Sequence, residues 1–269
     1  MAVAAGCLSF TSCGDDEKEP GGGGGSGSED GETDVIAVDP SKVFAAGLPE
    51  RVGSMNISTN ERGQVSEMVS AEDGIKVSFS YSGGGRAENY DVVMQVEEDG
   101  DKNVFSFFLN DAGFVKYCCQ IESDGDVEEW WFEYNSDGCL SKLKRTEGQN
   151  EVTDIVYADG DITKVTVRSD DSPEGDDDNV IEYGSPMLEN KGCLMLFDET
   201  FGIDMDEMKF AYFAGLLGKA TKHLPTGRLD EEDGDRETYT WTLGANGLPV
   251  QLVAVTLEDD YVETTTFAW

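Results

Sequence analysis

From about residue 52 the chain alternates short apolar runs with turn signals. The runs include "DVVMQVEE" (91–98), "NVFSFFLN" (103–110), "FVKYCCQIE" (114–122), "EEWWFEYN" (128–135), "VTDIVYA" (152–158) and "ITKVTVRS" (162–169). Between and around them stand Asp73-Gly74, Gly83-Gly84-Gly85, Asp99-Gly100, Asp111-Ala112-Gly113, Asp124-Gly125, Asp137-Gly138 and Asp159-Gly160. Asp-Gly readily supplies the positive φ angles of a tight hairpin, and runs of Val, Ile, Phe, Tyr and Trp fit a pleated, half-buried surface. Residues Ile162 to Arg168 alternate apolar and largely polar positions, as a strand with one buried face does. Three more runs, at 237–244, 249–258 and 261–269, close the chain. A long meander exposes two edges unless it rolls up. The expected fold is therefore mostly β, a long antiparallel meander curled into an open or closed barrel.

Two segments interrupt the pattern. "SDDSPEGDDDN" (169–179) is too acidic and too rich in Pro and Gly signals for a strand, and reads as a long exposed loop. Further on, Asp204 and Glu207 have capping-box spacing, and Met205, Met208, Tyr212 and Leu216 follow at helical intervals. This predicts one α-helix inserted late in the chain, near 204–217, stopped by Gly218 and followed by Pro225. A lone apolar helix among strands is expected to plug or cover an open end of the rolled sheet.

The N-terminal residues do something different. Residues 1–12, MAVAAGCLSFTS, carry no charge and are too short to span a bilayer. They suit the back half of a signal peptide whose basic start is missing from this sequence. Phe10-Thr11-Ser12-Cys13 resembles the bacterial lipoprotein box, in which the cysteine is acylated and becomes the new N-terminus. Ala4-Ala5-Gly6-Cys7 fits more loosely. The acidic run after Cys13 resembles a surface-export signal of Bacteroidetes lipoproteins, and Gly21–Gly25 with Ser26-Gly27-Ser28 cannot fold and reads as a tether. The expected organisation is a signal at 1–12, lipidation at Cys13, an acidic tether over 13–34 and one β-meander domain over 35–269. The partner implied is a membrane, reached through the anchor, and the location is the outer membrane, with the cell surface as one destination and the face left open.

Charge narrows the partners further. The formal net charge is −37. Residues 13–34 hold eight acids and one base, so about −30 remains on the domain itself. Such a field repels phosphate backbones, which argues against nucleic acid. Six cysteines, at 7, 13, 118, 119, 139 and 193, include no CxxC pair, and a single histidine, His223, gives no zinc set. The four later cysteines read as small buried apolar residues, with a disulfide as the lesser alternative. Aligning Gly175 with the glycine of a calcium loop leaves Ile181 where a bidentate Glu is required, so that match fails. No metal, cofactor or catalytic set is expected.

The remaining chemistry lies at "EEWW". Sugars stack on aromatic faces while carboxylates bond their hydroxyls, which makes Glu128, Glu129, Trp130 and Trp131 the candidate ligand-binding residues. Strand alternation sends each adjacent pair to opposite faces, so one tryptophan is expected inside and one outside.

Three segments resemble a known family. They are Tyr134 to Leu140, "ENKGCLMLFDETFGIDMDEMKFAYFAGLLGKATKHLP" (189–225) and "YTWTLGANGLPVQLVAV" (239–255). They resemble a Bacteroidetes lipoprotein family of unknown function with a porin-like fold, although Cys139 replaces the usual Arg of the hairpin unit. The resemblance implies a curled antiparallel sheet and an envelope location, and carries no catalytic residues with it. The expected activity is non-catalytic binding of a ligand or partner, a glycan or an envelope protein. Two alternatives stand beside it: a glycan hydrolase working through acidic residues, and an integral outer-membrane barrel. The second is suggested by Tyr261, Phe267 and Trp269 at even spacing to the chain end.

Overall fold

The computed structural model describes residues 38–82, 90–146, 148–170, 177–232, 234–258 and 260–269. Cys7, Cys13, the signal and tether segments, the turn at Gly83–Gly85 and residues 171–176 of the acidic loop lie outside the described residues. The chain first lays down β1 (Arg51–Val52), β2 (Met55–Thr59), β3 (Val65–Ser70), β4 (Ile75–Tyr81), β5 (Val92–Glu98) and β6 (Asp101–Leu109). It continues through β7 (Val115–Ile121), β8 (Val127–Tyr134), β9 (Leu140–Arg145), β10 (Glu151–Ala158), β11 (Asp161–Ser169) and β12 (Asp177–Glu182). After a two-stranded pair, β13 (Leu188–Glu189) and β14 (His223–Leu224), come β15 (Gly227–Asp230), β16 (Arg236–Leu243), β17 (Pro249–Thr256) and β18 (Tyr261–Ala268).

Sixteen of these strands form one closed antiparallel barrel. Neighbours in sequence pair throughout, with β12 joining β15 across the insertion. The short β1 closes the ring through Arg51↔Ala268 and Val52↔Phe267. Closure through β1 joins the end of β18 to the start of β2 and so shortens the two edges that the meander would otherwise expose.

Two kinds of turn recur between the strands. On the upper rim Asn60, Asn110 and Asn135 each accept two backbone N–H groups through Oδ1, from the residues two and four positions on, at 2.9–3.1 Å. Gly63, Gly113 and Gly138 supply the positive φ in these loops. A register shift in the flanking strands accompanies each. The two-residue turns Asp99-Gly100 on the lower rim and Asp159-Gly160 on the upper instead take positive φ at both positions, 51° and 96° in the first and 52° and 93° in the second, as the tightest hairpin requires.

A barrel this wide cannot be filled by its own side chains. The insertion between β12 and β15 therefore runs through the lumen. It contains α1 (Phe197–Phe201), a 3₁₀ turn at Asp206–Lys209 and α2 (Phe210–Phe213). Phe197, Phe201, Ile203, Met205, Met208, Tyr212 and Leu216 are all at most 1 % exposed, and pack with inward residues such as Met68, Met94, Phe105, Phe107 and Trp130.

The helical segment differs from expectation. Helical structure covers 206–213 and begins as a 3₁₀ turn. The capping box does not form, because Asp204 Oδ1 accepts from Asp206 N while Glu207 takes Asn103 Nδ2 at 2.8 Å. Gly215, at φ +77°, ends the turn. Gly218 has another duty: a Cβ there would lie 2.7 Å from Gly138 O, so its absence lets the insertion pass under the upper rim. Backbone bonds from Lys219 N to Gly138 O and from Lys222 N to Gly160 O stitch the two together.

The acidic segment also ends earlier than expected. Its last residues, 177–179, open β12, where Asp178 accepts from Lys164 Nζ at 2.7 Å and from Thr166 Oγ1. Cys118, Cys119 and Cys139 are buried, as the sequence suggests for small apolar residues, and Cys193 is half-buried.

The outside of the wall is charged. Lys76 pairs with Glu67, Lys102 with Glu97, Lys142 and Arg168 with Asp154, and Lys164 with Asp178 and Glu231. Of the three terminal aromatic residues, Tyr261 is exposed while the other two are turned to the protein. Phe267 points inward and stacks on Trp241, and Trp269 packs against the insertion at Gly192 while its Nε1 donates to Pro249 O at 2.6 Å.

Candidate functional site

Adjacent residues of a strand face opposite ways, and β8 divides the "EEWW" residues accordingly. Trp130 is fully buried in the lumen. Its Nε1 donates to Gln120 Oε1 at 3.0 Å, its ring stacks on Phe132, and the Arg145 guanidinium lies over it at 5.5 Å. Glu128 is buried on the same inner face. These two candidates are therefore corrected to core residues, with no access for a ligand from outside.

Glu129 and Trp131 reach the outer face, where the registers Phe108↔Tyr117 and Tyr117↔Trp131 bring three aromatic residues into a row. Phe108 and Tyr117 have ring centroids 5.4 Å apart at a 45° tilt, and Tyr117 and Trp131 lie 5.6 Å apart at 47°. All three are half-buried. The spacing follows from the distance between neighbouring strands, so the stripe crosses β6, β7 and β8 at right angles to the chain.

Polar groups frame the stripe. The Tyr117 hydroxyl donates to Glu129 Oε1 at 2.5 Å, and Glu129 N donates to Thr146 Oγ1 at 3.0 Å. Lys144 Nζ sits 5.2 Å from the Trp131 ring centre, a cation–π contact. Beyond it a shallow groove of about 420 Å³ is lined by Trp131, Glu133, Lys142, Lys144 and Val152. The arrangement offers apolar ring surface bordered by a carboxylate and ammonium groups. Phe108 and Tyr117 were missed in the sequence, although the inward "FSF" of β6 and the alternation of β7 already implied their outward direction.

The other sequence candidates go elsewhere. His223 joins the insertion to β11, with Nδ1 2.7 Å from Asp161 Oδ2 and its backbone N–H on Asp161 Oδ1 at 2.8 Å. Asp170 accepts from Asn150, and burial pushes the Cys118 and Cys139 thiols up from their ordinary pKa. Among the described residues, no group of three or more His, Cys, Asp or Glu is placed to hold a metal ion.

A closed antiparallel barrel with a packed lumen and an aromatic stripe on its charged outer wall defines a porin-like class built with a filled interior. Residues 52–251 match the family described as a domain of unknown function (DUF4595) with porin-like fold, and the chain belongs to that family. The fold is also that of two crystal structures. A porin-like protein from Bacteroides uniformis aligns over 80 % of this chain and 88 % of its own, with a TM-score of 0.59 and 16 % identity. One from Bacteroides vulgatus aligns over 83 % and 99 %, with a TM-score of 0.58 and 9 % identity. No curated protein matches the chain.

Proposed function

We propose that this protein is a lipid-anchored envelope protein that captures glycan chains on the outer wall of its barrel and does not cleave them. The observation that carries the reading is the Phe108–Tyr117–Trp131 stripe, an extended row of rings on rigid strands with Glu129, Lys142 and Lys144 beside it. Sugar rings present apolar faces that stack on such a row, and their hydroxyls bond to flanking charged groups. A site on sheet strands is held without the ordering cost of a loop.

Binding is favoured over hydrolysis by the placement of the carboxylates. Glu129 and Glu133 are the outward acids of β8, four residues apart along one strand. Glu129 is also engaged, its Oε1 accepting from the Tyr117 hydroxyl. Asp154, on the neighbouring wall, is engaged by Lys142 and Arg168. The membrane link is assigned to acylated Cys13, because a spanning barrel has an apolar outer band around a polar lumen, the reverse of this wall.

The test is affinity electrophoresis of the full chain in gels containing soluble plant and host glycans, with Trp131→Ala and Tyr117→Ala as the variants. Retardation by at least one glycan that is lost in both variants supports the reading. Unchanged mobility throughout the panel, or retardation indifferent to both substitutions, overturns it. Release of reducing sugar would replace capture with catalysis. Palmitate labelling of the native chain in its producing cell, absent from Cys13→Ala, tests the anchor.

A further inference from the structure

A second site lies at the lower rim, where the insertion does not fill the mouth completely. A cavity of about 300 Å³ opens there between β1–β4, β18 and the helical part of the insertion. Its volume falls at the lower end of the range for small-molecule pockets. The walls are largely apolar and include the rings of Phe197, Phe210 and Phe213. Glu199, Glu263 and Asp73 also line it, against a single cation, Lys209.

Lys209 is already committed: its Nζ lies 2.9 Å from Asp198 Oδ2. Asp198 stands outside the lining, so with Lys209 paired to it the three lining acids keep no cation of their own from the cavity wall. Asp73 accepts from the hydroxyls of Ser54 and Ser70, which lowers its pKa and keeps it ionised. Glu199 is largely sequestered on α1, and burial raises its pKa, while its own backbone N–H and Lys209 oppose the rise. The charged groups that face it are Lys209, Asp198 and Glu263, with the Tyr239 hydroxyl on β16 the other titratable neighbour.

We infer that this cavity binds a small organic cation, an amine or quaternary ammonium carrying an apolar body. Its ammonium faces Glu199 and Glu263, and its apolar part rests among the phenylalanine rings. The −37 net charge of the chain concentrates cations at this mouth and repels a carboxylate ligand. The site is independent of the outer stripe.

Isothermal titration of the full chain with phenethylamine, 3-phenylpropionate, 2-phenylethanol and methylammonium distinguishes the alternatives. Phenethylamine is expected to bind at least tenfold more tightly than the other three. Glu199→Gln should weaken it at least tenfold and Glu263→Gln by a smaller factor, with Trp131→Ala without effect. Affinity should rise with pH as Glu199 ionises. Equal binding of the alcohol makes the site merely apolar, preference for the carboxylate assigns it to Lys209, and equal binding of methylammonium reduces it to surface charge. Each of those results overturns the inference, as does full affinity in both glutamine variants.

Discussion

Arg145 on β9 and Asp204 on the insertion are joined at 2.8 Å from Nη2 to Oδ2, and this contact bolts the contents of the lumen to the wall. The same guanidinium reaches Asp206 and Glu151 at 2.9 Å and covers the Trp130 ring. Burial works against the charge, but Asp204 and Glu151 outweigh it and hold the arginine more firmly protonated than usual. Arg145 comes from the barrel and its two aspartates from the plug, so the interaction reports whether plug and wall unfold together.

Arg145→Ala should lower stability by about 2–3 kcal/mol, below the 3–5 typical of a fully buried pair because the aspartates are half-exposed. Urea unfolding followed by tryptophan fluorescence measures it. A single transition at lower urea is expected. Loss of the plug before the barrel would appear as two steps and would show that packing alone does not couple them.

The two tryptophans of β8 should behave oppositely. Trp130→Ala empties a site that is 0 % exposed and should cost about 3–5 kcal/mol. Trp131→Ala should cost about 1 kcal/mol, the scale of a lost cross-strand aromatic pair, while removing glycan retention. Equal destabilisation by the two would mean that the outer stripe serves the sheet rather than a ligand.

Gly218 and Gly125 separate strain from contact. Both have positive φ, 85° and 97°, but a Cβ at Gly125 meets open space while one at Gly218 meets Gly138 O and the Tyr134 ring. Gly125→Ala should cost about 1–2 kcal/mol for the left-handed backbone alone. Gly218→Ala should cost more, with the extra loss seen as faster amide exchange at Lys219, whose N–H binds Gly138 O.

Glu199 gives the lower mouth a pH signature. Its folded pKa is raised by burial above the unfolded value of about 4.3. The folded state thus holds this proton more tightly than the unfolded chain does. That contribution to stability is complete below the unfolded pKa and is lost as pH climbs through the folded one. Glu199→Gln should therefore be more stable than the native chain at pH 7 and lose that advantage toward pH 4, as followed by thermal melts across the range. A variant no more stable at pH 7 would place the carboxylate in water. Gained stability with lost amine binding is the pattern expected where a site keeps a costly group for function.

Much of this architecture was legible along the chain. The strands at 92–98, 101–109, 115–121, 151–158 and 161–169 fall where alternating runs and Asp-Gly turns imply them, because side-chain period and turn conformation are local properties. The opposite directions of Trp130 and Trp131 follow from the same period. Strands β1–β4, β9, β12 and β15 were less visible, being short, polar or set beside acidic turns. The helix was overextended because Met205, Met208, Tyr212 and Leu216 do share an apolar environment. They acquire it by threading a lumen that buries apolar groups on every side, which does not require a continuous helix.

What the amino-acid order determined by itself is the meander, its turns and the inward or outward sense of each strand residue, since these depend on neighbours a few positions away. Only the tertiary structure decided that the ring closes at sixteen strands, that residues 190–222 fill it, and that Phe108, Tyr117 and Trp131 form one row while Glu199 and Glu263 share one cavity. Register between strands and the path of the insertion depend on how volumes fit across the lumen. That fit joins residues up to about two hundred positions apart, and no local pattern encodes it.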